Sequence, residues 1–142
     1  MTDLLDTNIL IYATTHDDEH KHKIARQLIE DCITEKKHFC VSLQNISEFF
    51  VVATAKIKQP LLPHDAMKIC QHLLEFNGLK KIAAKPKTLL NAMHLNTETK
   101  VSYWDCLIAA TMFDHAIFTI ITENTKDFNK IPRIKAINPF RK

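Results

Sequence analysis

The sequence predicts an α/β protein: a mainly parallel sheet of about four to five strands with helices packed on both sides. Three observations carry that expectation. Short apolar runs ending in turn or cap residues alternate with longer stretches of helical period, the pattern of repeated strand–helix units. One run, Ala116 to Ile121, is continuously apolar and rich in β-branched residues, as in a strand covered on both faces. The composition, 46% hydrophobic and 25% charged over 142 residues, is that of a folded globular chain, read here as one domain spanning residues 1–142.

The elements are expected in the following order. Leu4-Leu5 is a buried strand that stops at Asp6-Thr7-Asn8, and Ile9 to Ala13 continues at once as a short helix. Asp17 and Asp18 start a long helix from about Glu19 to Lys37, with Ile24, Leu28 and Ile33 as its apolar stripe. Phe39 to Ser42 is the second strand. Helix-start chemistry from Ser42 to Asn45 then opens a largely buried helix to about Lys58. Pro60 and Pro63 separate it from a helix over Asp65 to Phe76. Asn77-Gly78 holds the only glycine and turns into a third strand near Lys81 to Ala83. Pro86 begins a helix to about Asn96, with a loop over Thr97 to Lys100. Ser102-Tyr103-Trp104-Asp105 fits a capping box and opens a helix through Phe113. The strand Ala116 to Ile121, a polar loop Thr122 to Phe128 and a last strand Ile134 to Ile137 complete the chain.

Composition also removes whole classes of function. No apolar run approaches the ~20 residues that cross a bilayer, and the start lacks the basic-then-apolar layout of a signal peptide. A cytoplasmic location without membrane contact is therefore expected. Cys32, Cys40, Cys70 and Cys106 have no short metal-binding spacing and read as reduced core residues. His16, His20 and His22 sit in a strongly polar stretch interrupted by Lys21, which reads as a solvated helix start rather than a metal site. The net charge of +3 is mild, but Lys126, Lys130, Arg133, Lys135, Arg141 and Lys142 face only Asp127 near the end. Such a tail either holds phosphates or simply keeps the end solvated; Lys126 and Lys130 are its candidate RNA contacts.

The acids carry the chemistry. Asp6 ends the first strand, Glu48 lies in the second turn of the helix after the second, Asp105 in the first turn of its helix, and Glu123 and Asp127 follow the fourth strand. In a parallel sheet these positions project toward one edge, where open α/β sheets bind ligands. Each also has a plainer reading: Asp6 and Asp105 as helix caps, Glu123 and Asp127 as solvated loop acids. Glu48 is hardest to dismiss, because its neighbours on both sides look buried. Carboxylates brought within a few ångströms repel one another and lose hydration, and a hard divalent ion, Mg²⁺ or Mn²⁺, is the natural compensator. With phosphate oxygens and a metal-activated water, that site hydrolyses a phosphodiester by in-line displacement.

The motifs Leu4-Leu5-Asp6-Thr7-Asn8, Ser47-Glu48-Phe49, Trp104-Asp105-Cys106-Leu107-Ile108-Ala109-Ala110, Thr122-Glu123-Asn124-Thr125-Lys126-Asp127-Phe128 and Asn138-Pro139-Phe140 occur in the order found in PIN-domain ribonucleases. The chain resembles that family over essentially its whole length, and looks most like the VapC-type toxins of toxin–antitoxin modules. The resemblance implies a three-layer α/β/α domain that binds Mg²⁺ or Mn²⁺ and cuts RNA as an endonuclease. It implies Asp6 and Asp105 as principal metal ligands, and Glu48 and Asp127 completing the acidic pocket directly or through water. Glu123 is the reserve for the fourth acid. Thr7, Asn8 and Thr122 would hold the carboxylates in place. A small cognate antitoxin covering the acidic groove and a homodimer are the implied partners. A catalytically idle PIN-like module binding RNA or protein, and a PIN nuclease of RNA processing without a toxin role, are the alternatives. Against the family pattern, Asp3 sits in a usually apolar strand and glycine is scarce.

Overall fold

The computed structural model describes residues 1–141. Five strands, β1 (Thr2–Leu5), β2 (His38–Ser42), β3 (Leu79–Ile82), β4 (Thr119–Ile121) and β5 (Lys135–Ile137), form one sheet in the order β3-β2-β1-β4-β5. Every neighbouring pair is parallel. The helices are α1 (Thr7–Thr14), α2 (Glu19–Ile33), α3 (Leu43–Ala55), α4 (Pro63–Glu75), α5 (Pro86–Thr99), α6 (Tyr103–Asp114) and the single turn α7 (Thr125–Phe128).

Side-chain alternation along the strands divides the core into two layers. Leu4, Cys40, Ile82 and Ile120 face α5 and α6, where Ile108, Met112 and Phe128 are buried with them. Leu5, Phe39, Val41, Leu79 and Ile121 face the other way, onto Ile9, Ala25, Phe49 and Ala53 of the helices from α1 to α3. This is the expected three-layer α/β/α arrangement. With both faces apolar, alternation alone does not fix strand register. Polar ends do: Asp6 N–H bonds the Ile121 carbonyl at 3.0 Å and Thr122 N–H bonds the Ile137 carbonyl at 2.9 Å.

Several boundaries differ from the sequence expectations, each for a local reason. α2 stops at Ile33 rather than Lys37, because Glu35 takes a left-handed φ of 61°. Ile33 is exposed, and the buried positions of that helix are Ala25 and Cys32. α3 ends at Ala55, short of Lys58, and α4 starts at Pro63 itself. The stretch Thr97–Thr99, expected as loop, is helical; Thr97 and Thr99 hydroxyls donate to the carbonyls of His94 and Leu95 at 2.8 and 2.7 Å. β3 is shifted to Leu79–Ile82, and β5 begins at Lys135. A Cβ at Gly78 would strike the Phe76 ring, so a side chain there would require that partly exposed ring to move.

The run Ala116 to Ile121 gives a strand only from Thr119. α6 ends in a Schellman turn, with Ile117 N–H on the Met112 carbonyl and Ala116 N–H on the Phe113 carbonyl, at 3.0 and 3.1 Å. Ala116 occupies the left-handed position, φ 55°, where glycine is usual. The polar loop after β4 contains the turn α7, closed by Asn129 N–H on the Thr125 carbonyl at 2.9 Å. Among the described residues no helix is long and apolar enough to cross a membrane.

Candidate active site

Asp6 caps the helix that follows it and stands just past the end of β1. Its backbone is extended, φ −74° and ψ 162°, and its carboxylate caps α1 by accepting from Thr7 N–H at 2.8 Å. It also stands at the carboxyl end of the central strand, only 7% exposed. Asn45 Nδ2 donates to Oδ1 at 3.3 Å, Thr122 Oγ1 to Oδ2 at 2.7 Å, and Asn8 Nδ2 to Oδ2 at 3.4 Å. Every donor is neutral. Burial pushes the carboxyl above the ordinary range, and the bonds from Thr122, Thr7 and Asn45 pull part of the way back.

Thr7 and Asn8 extend this scaffold toward the other acids. The Thr7 hydroxyl lies 3.4 Å from Glu48 Oε1 and receives Asn45 Nδ2 at 3.1 Å. Asn8 Oδ1 accepts from Glu123 N–H at 3.3 Å, and its Nδ2 reaches Thr122 Oγ1 at 3.4 Å. Glu48 is raised by burial and by the charges of Asp6 and Asp105. Asp105 is pushed up to about 6 by burial, then by Asp6 and Asp127. The capping box at the start of α6 is half made: Ser102 Oγ accepts from Asp105 N–H at 3.3 Å, while Asp105 Oδ2 accepts from Asn124 Nδ2 at 3.2 Å.

Asp6, Glu48 and Asp105 line one cleft of about 660 Å³. Among the described residues no basic side chain pairs with any of the three. Nor are three His, Cys, Asp or Glu side chains gathered there into a ready-made metal cage. The donor set is hard oxygen throughout, which fits Mg²⁺ or Mn²⁺, ions that commonly take one or two carboxylates and complete their shell with water and substrate oxygens.

Glu123 turns elsewhere. Its Oε1 accepts from the Tyr12 hydroxyl at 2.8 Å and its Oε2 pairs with Lys21 Nζ. Lys21 also lies 4.9 Å from the Tyr12 ring centroid and 5.7 Å from that of Phe140. Asp127 is the acid of that segment whose charge acts on Asp105, and its only ion-pair partner among the described residues is Lys130, at 3.8 Å. Lys126 and Lys130 are exposed. Elsewhere in the basic tail Arg133 is exposed with its guanidinium over Phe118 and Phe113, at 4.8 and 5.6 Å; Lys142 lies outside the described residues. In the histidine cluster the His16 and His22 rings pack together, centroids 4.0 Å apart, but His16 pairs with Glu19, His22 bonds the Tyr12 carbonyl and His20 is exposed, and among the described residues they form no metal-holding group of three.

Two contributors escaped sequence reasoning. Asn45 is fully buried and exchanges bonds with Ser42, N–H to Oγ and N–H to Oδ1, both at 3.0 Å, which leaves its Nδ2 aimed at Asp6 and Thr7. The S-x-x-N spacing at the start of α3 was the available signal. Asn124 is the other, and nothing local distinguishes it from a loop asparagine.

The sequence matches the profile of the PIN domain over residues 4–134. No curated protein sequence matches the chain. Among solved structures, it is similar to a chain of a toxin–antitoxin complex from Klebsiella pneumoniae, at 26% identity over 96% of this chain and 97% of that one, TM-score 0.66. It also shares its fold with VapBC2 from Rickettsia felis, bound to a DNA fragment from their promoter, at 22% identity over 97% and 98%, TM-score 0.67. A third likeness of fold is to the sarcin–ricin loop cleaving toxin VapC20 of Mycobacterium tuberculosis, at 14% identity over 84% and 87%, TM-score 0.65.

Proposed function

The chain belongs to the PIN-domain family, and on that premise we propose that it is a Mg²⁺- or Mn²⁺-dependent endoribonuclease, the toxin of a toxin–antitoxin pair. The observation that carries the reading is the unpaired convergence of Asp6, Glu48 and Asp105 on one cleft, with Asp105 raised by burial and then by the charges of Asp6 and Asp127. Repelling carboxylates are costly to hold together without a cation.

In this reading Asp6 and Asp105 hold the metal, and Glu48 and Asp127 act on it directly or through water. When bound, the ion supplies charge neutralisation of the phosphodiester and a more acidic water. Thr122, Asn8 and Asn45 fix the Asp6 carboxylate by bonds to both its oxygens, and Asn124 does the same for one oxygen of Asp105. Neutral donors suit this task, since they orient a carboxylate without cancelling the charge that attracts the ion. Glu123 is a strut and Asp127 the fourth acid. Lys126 and Lys130 steady the RNA backbone. Supporting a protein partner, Val51, Met67 and Leu74 remain exposed along a groove of about 630 Å³ between α3 and α4. A small antitoxin, a homodimer and a cytoplasmic location belong to the same proposal.

The test is incubation of the purified protein with labelled total RNA, in Mg²⁺ or in EDTA, beside Asp105→Asn. Discrete cuts that need both metal and Asp105 are expected. RNA that is bound but never cut, under any divalent ion, would make the chain an idle binding module instead.

A further inference from the structure

The cleft over the acids shares a wall with a second depression of about 510 Å³, between the start of α6 and the outer side of α3; Glu48, Val52 and Lys56 line both. Trp104 bounds the second depression and is 61% exposed, although it directly precedes Asp105. Its indole is nevertheless braced. Tyr103 meets it at 73° with ring centroids 5.3 Å apart, and Gln44 Nε2 donates to the Trp104 carbonyl at 3.0 Å. Lys56 is exposed and, among the described residues, has no ion-pair partner.

We propose that Trp104 and Lys56 form a subsite for one unpaired nucleotide beside the scissile position, with the base stacked on the indole and a phosphate on the Lys56 ammonium. The proposal rests on the nuclease reading, because continuity with the acidic cleft is what brings a strand across this wall. Charge favours a nucleic acid over a peptide: a phosphate meets the Lys56 ammonium here, and Glu48, on the shared wall, belongs with Asp6 and Asp105 to the set of carboxylates that a cation bridges to further phosphates. Stacking needs an open base face, which a duplex does not offer, so the subsite selects an unstacked single strand. Base–aromatic stacking tolerates any base, so sequence choice lies elsewhere.

Trp104 is the only tryptophan, so its emission reports on this subsite alone. The experiment titrates the full chain, with Ca²⁺ in place of Mg²⁺ and the length of the RNA checked on a gel after each titration, with a mixed-sequence single-stranded oligoribonucleotide and with the same sequence as a duplex. Emission is read beside the anisotropy of the labelled RNA. The single strand is expected to change Trp104 emission with the same midpoint as the anisotropy, and the duplex to bind at least severalfold more weakly. Trp104→Ala should weaken single-strand binding by roughly 5- to 100-fold, the range for loss of one stacked base, and Trp104→Phe should recover most of it. Lys56→Ala should lower the salt dependence of binding by about 0.7 in log–log slope. RNA binding that leaves the emission unchanged, or that Trp104→Ala does not weaken, overturns the subsite while the nuclease reading stands. An emission change seen only with a co-purified protein overturns it in favour of a protein contact. A wild-type chain that neither binds nor cuts RNA overturns both.

Discussion

Thr122 Oγ1 donates to Asp6 Oδ2 at 2.7 Å, joining the ends of β4 and β1 across 116 positions of sequence. The bond fixes one oxygen of the most buried acid of the cleft. Together with Asn45 on the other oxygen, it aligns the carboxylate before any ion or substrate arrives.

Replacing Asp6 by Asn should therefore remove cleavage while leaving a folded protein. The amide keeps the shape but turns one acceptor into a donor that faces Thr122 or Asn45. Relief of buried charge offsets part of the lost bonding, so the net change in stability should stay within about 2 kcal/mol. Cleavage by Asp6→Asn at wild-type rate in Mg²⁺ would take Asp6 out of the site.

Stability should depend on pH and on divalent ions in a linked way. Asp105 shifts from an ordinary 3.8 to about 6 on folding, and Asp6 and Glu48 shift in the same direction. Such groups hold protons more tightly folded than unfolded, so the native state loses stability as pH rises from 3.8 through about 6. For Asp105 the loss is on the order of 1–3 kcal/mol after allowing for solvent screening. In EDTA the melting temperature should fall across that window. Millimolar Mg²⁺ at neutral pH should restore it; a melting curve indifferent to Mg²⁺ would contradict a shared ion site.

Glu123 and Asp127 should separate by function. Glu123→Gln breaks the pair with Lys21 and should cost about 0.5–1.5 kcal/mol in a denaturant titration, with cleavage retained. Asp127→Asn should lower cleavage at least tenfold with little effect on stability. The opposite pattern would make Glu123 the fourth acid.

The paired substitutions Lys126→Ala and Lys130→Ala should weaken RNA binding and lower its log–log salt slope by roughly 1.4–1.8 for two lost phosphate contacts. An unchanged slope in filter binding would return these lysines to solvent.

Ala116→Gly should raise stability by about 0.5–1 kcal/mol, because an alanine there holds the left-handed conformation that closes α6. A thermal melt that does not rise would mean the extra freedom of the unfolded glycine offsets the relief.

The parts of this protein legible in its sequence are those governed by neighbours in the chain. The order of strands and helices, the cap at Asp6 and the cap at Ser102 all follow from residues within a turn of one another. Two helix ends were misplaced where the usual mark is missing, since Glu35 and Lys100 take left-handed backbone without being glycine, and Ala116 does the same where the fourth strand was expected to begin. In the site, the acids stood out because charge is conspicuous in an apolar context. Asn45 and Asn124 did not, because an amide is unremarkable until its partner is known. The Lys21–Glu123 pair, 102 positions apart, has no local signal at all.

The pairing of β1 with β4 has a consequence in time. Asp6 leaves the ribosome 116 positions ahead of Thr122, and Asn124, Asp127 and β5 follow later still. A chain still being translated carries Asp6 without the Thr122 hydroxyl that aligns it. If the protein cuts RNA, its nascent form is inert beside the RNA-rich machine that makes it until β4 and the loop after it have emerged and paired with β1.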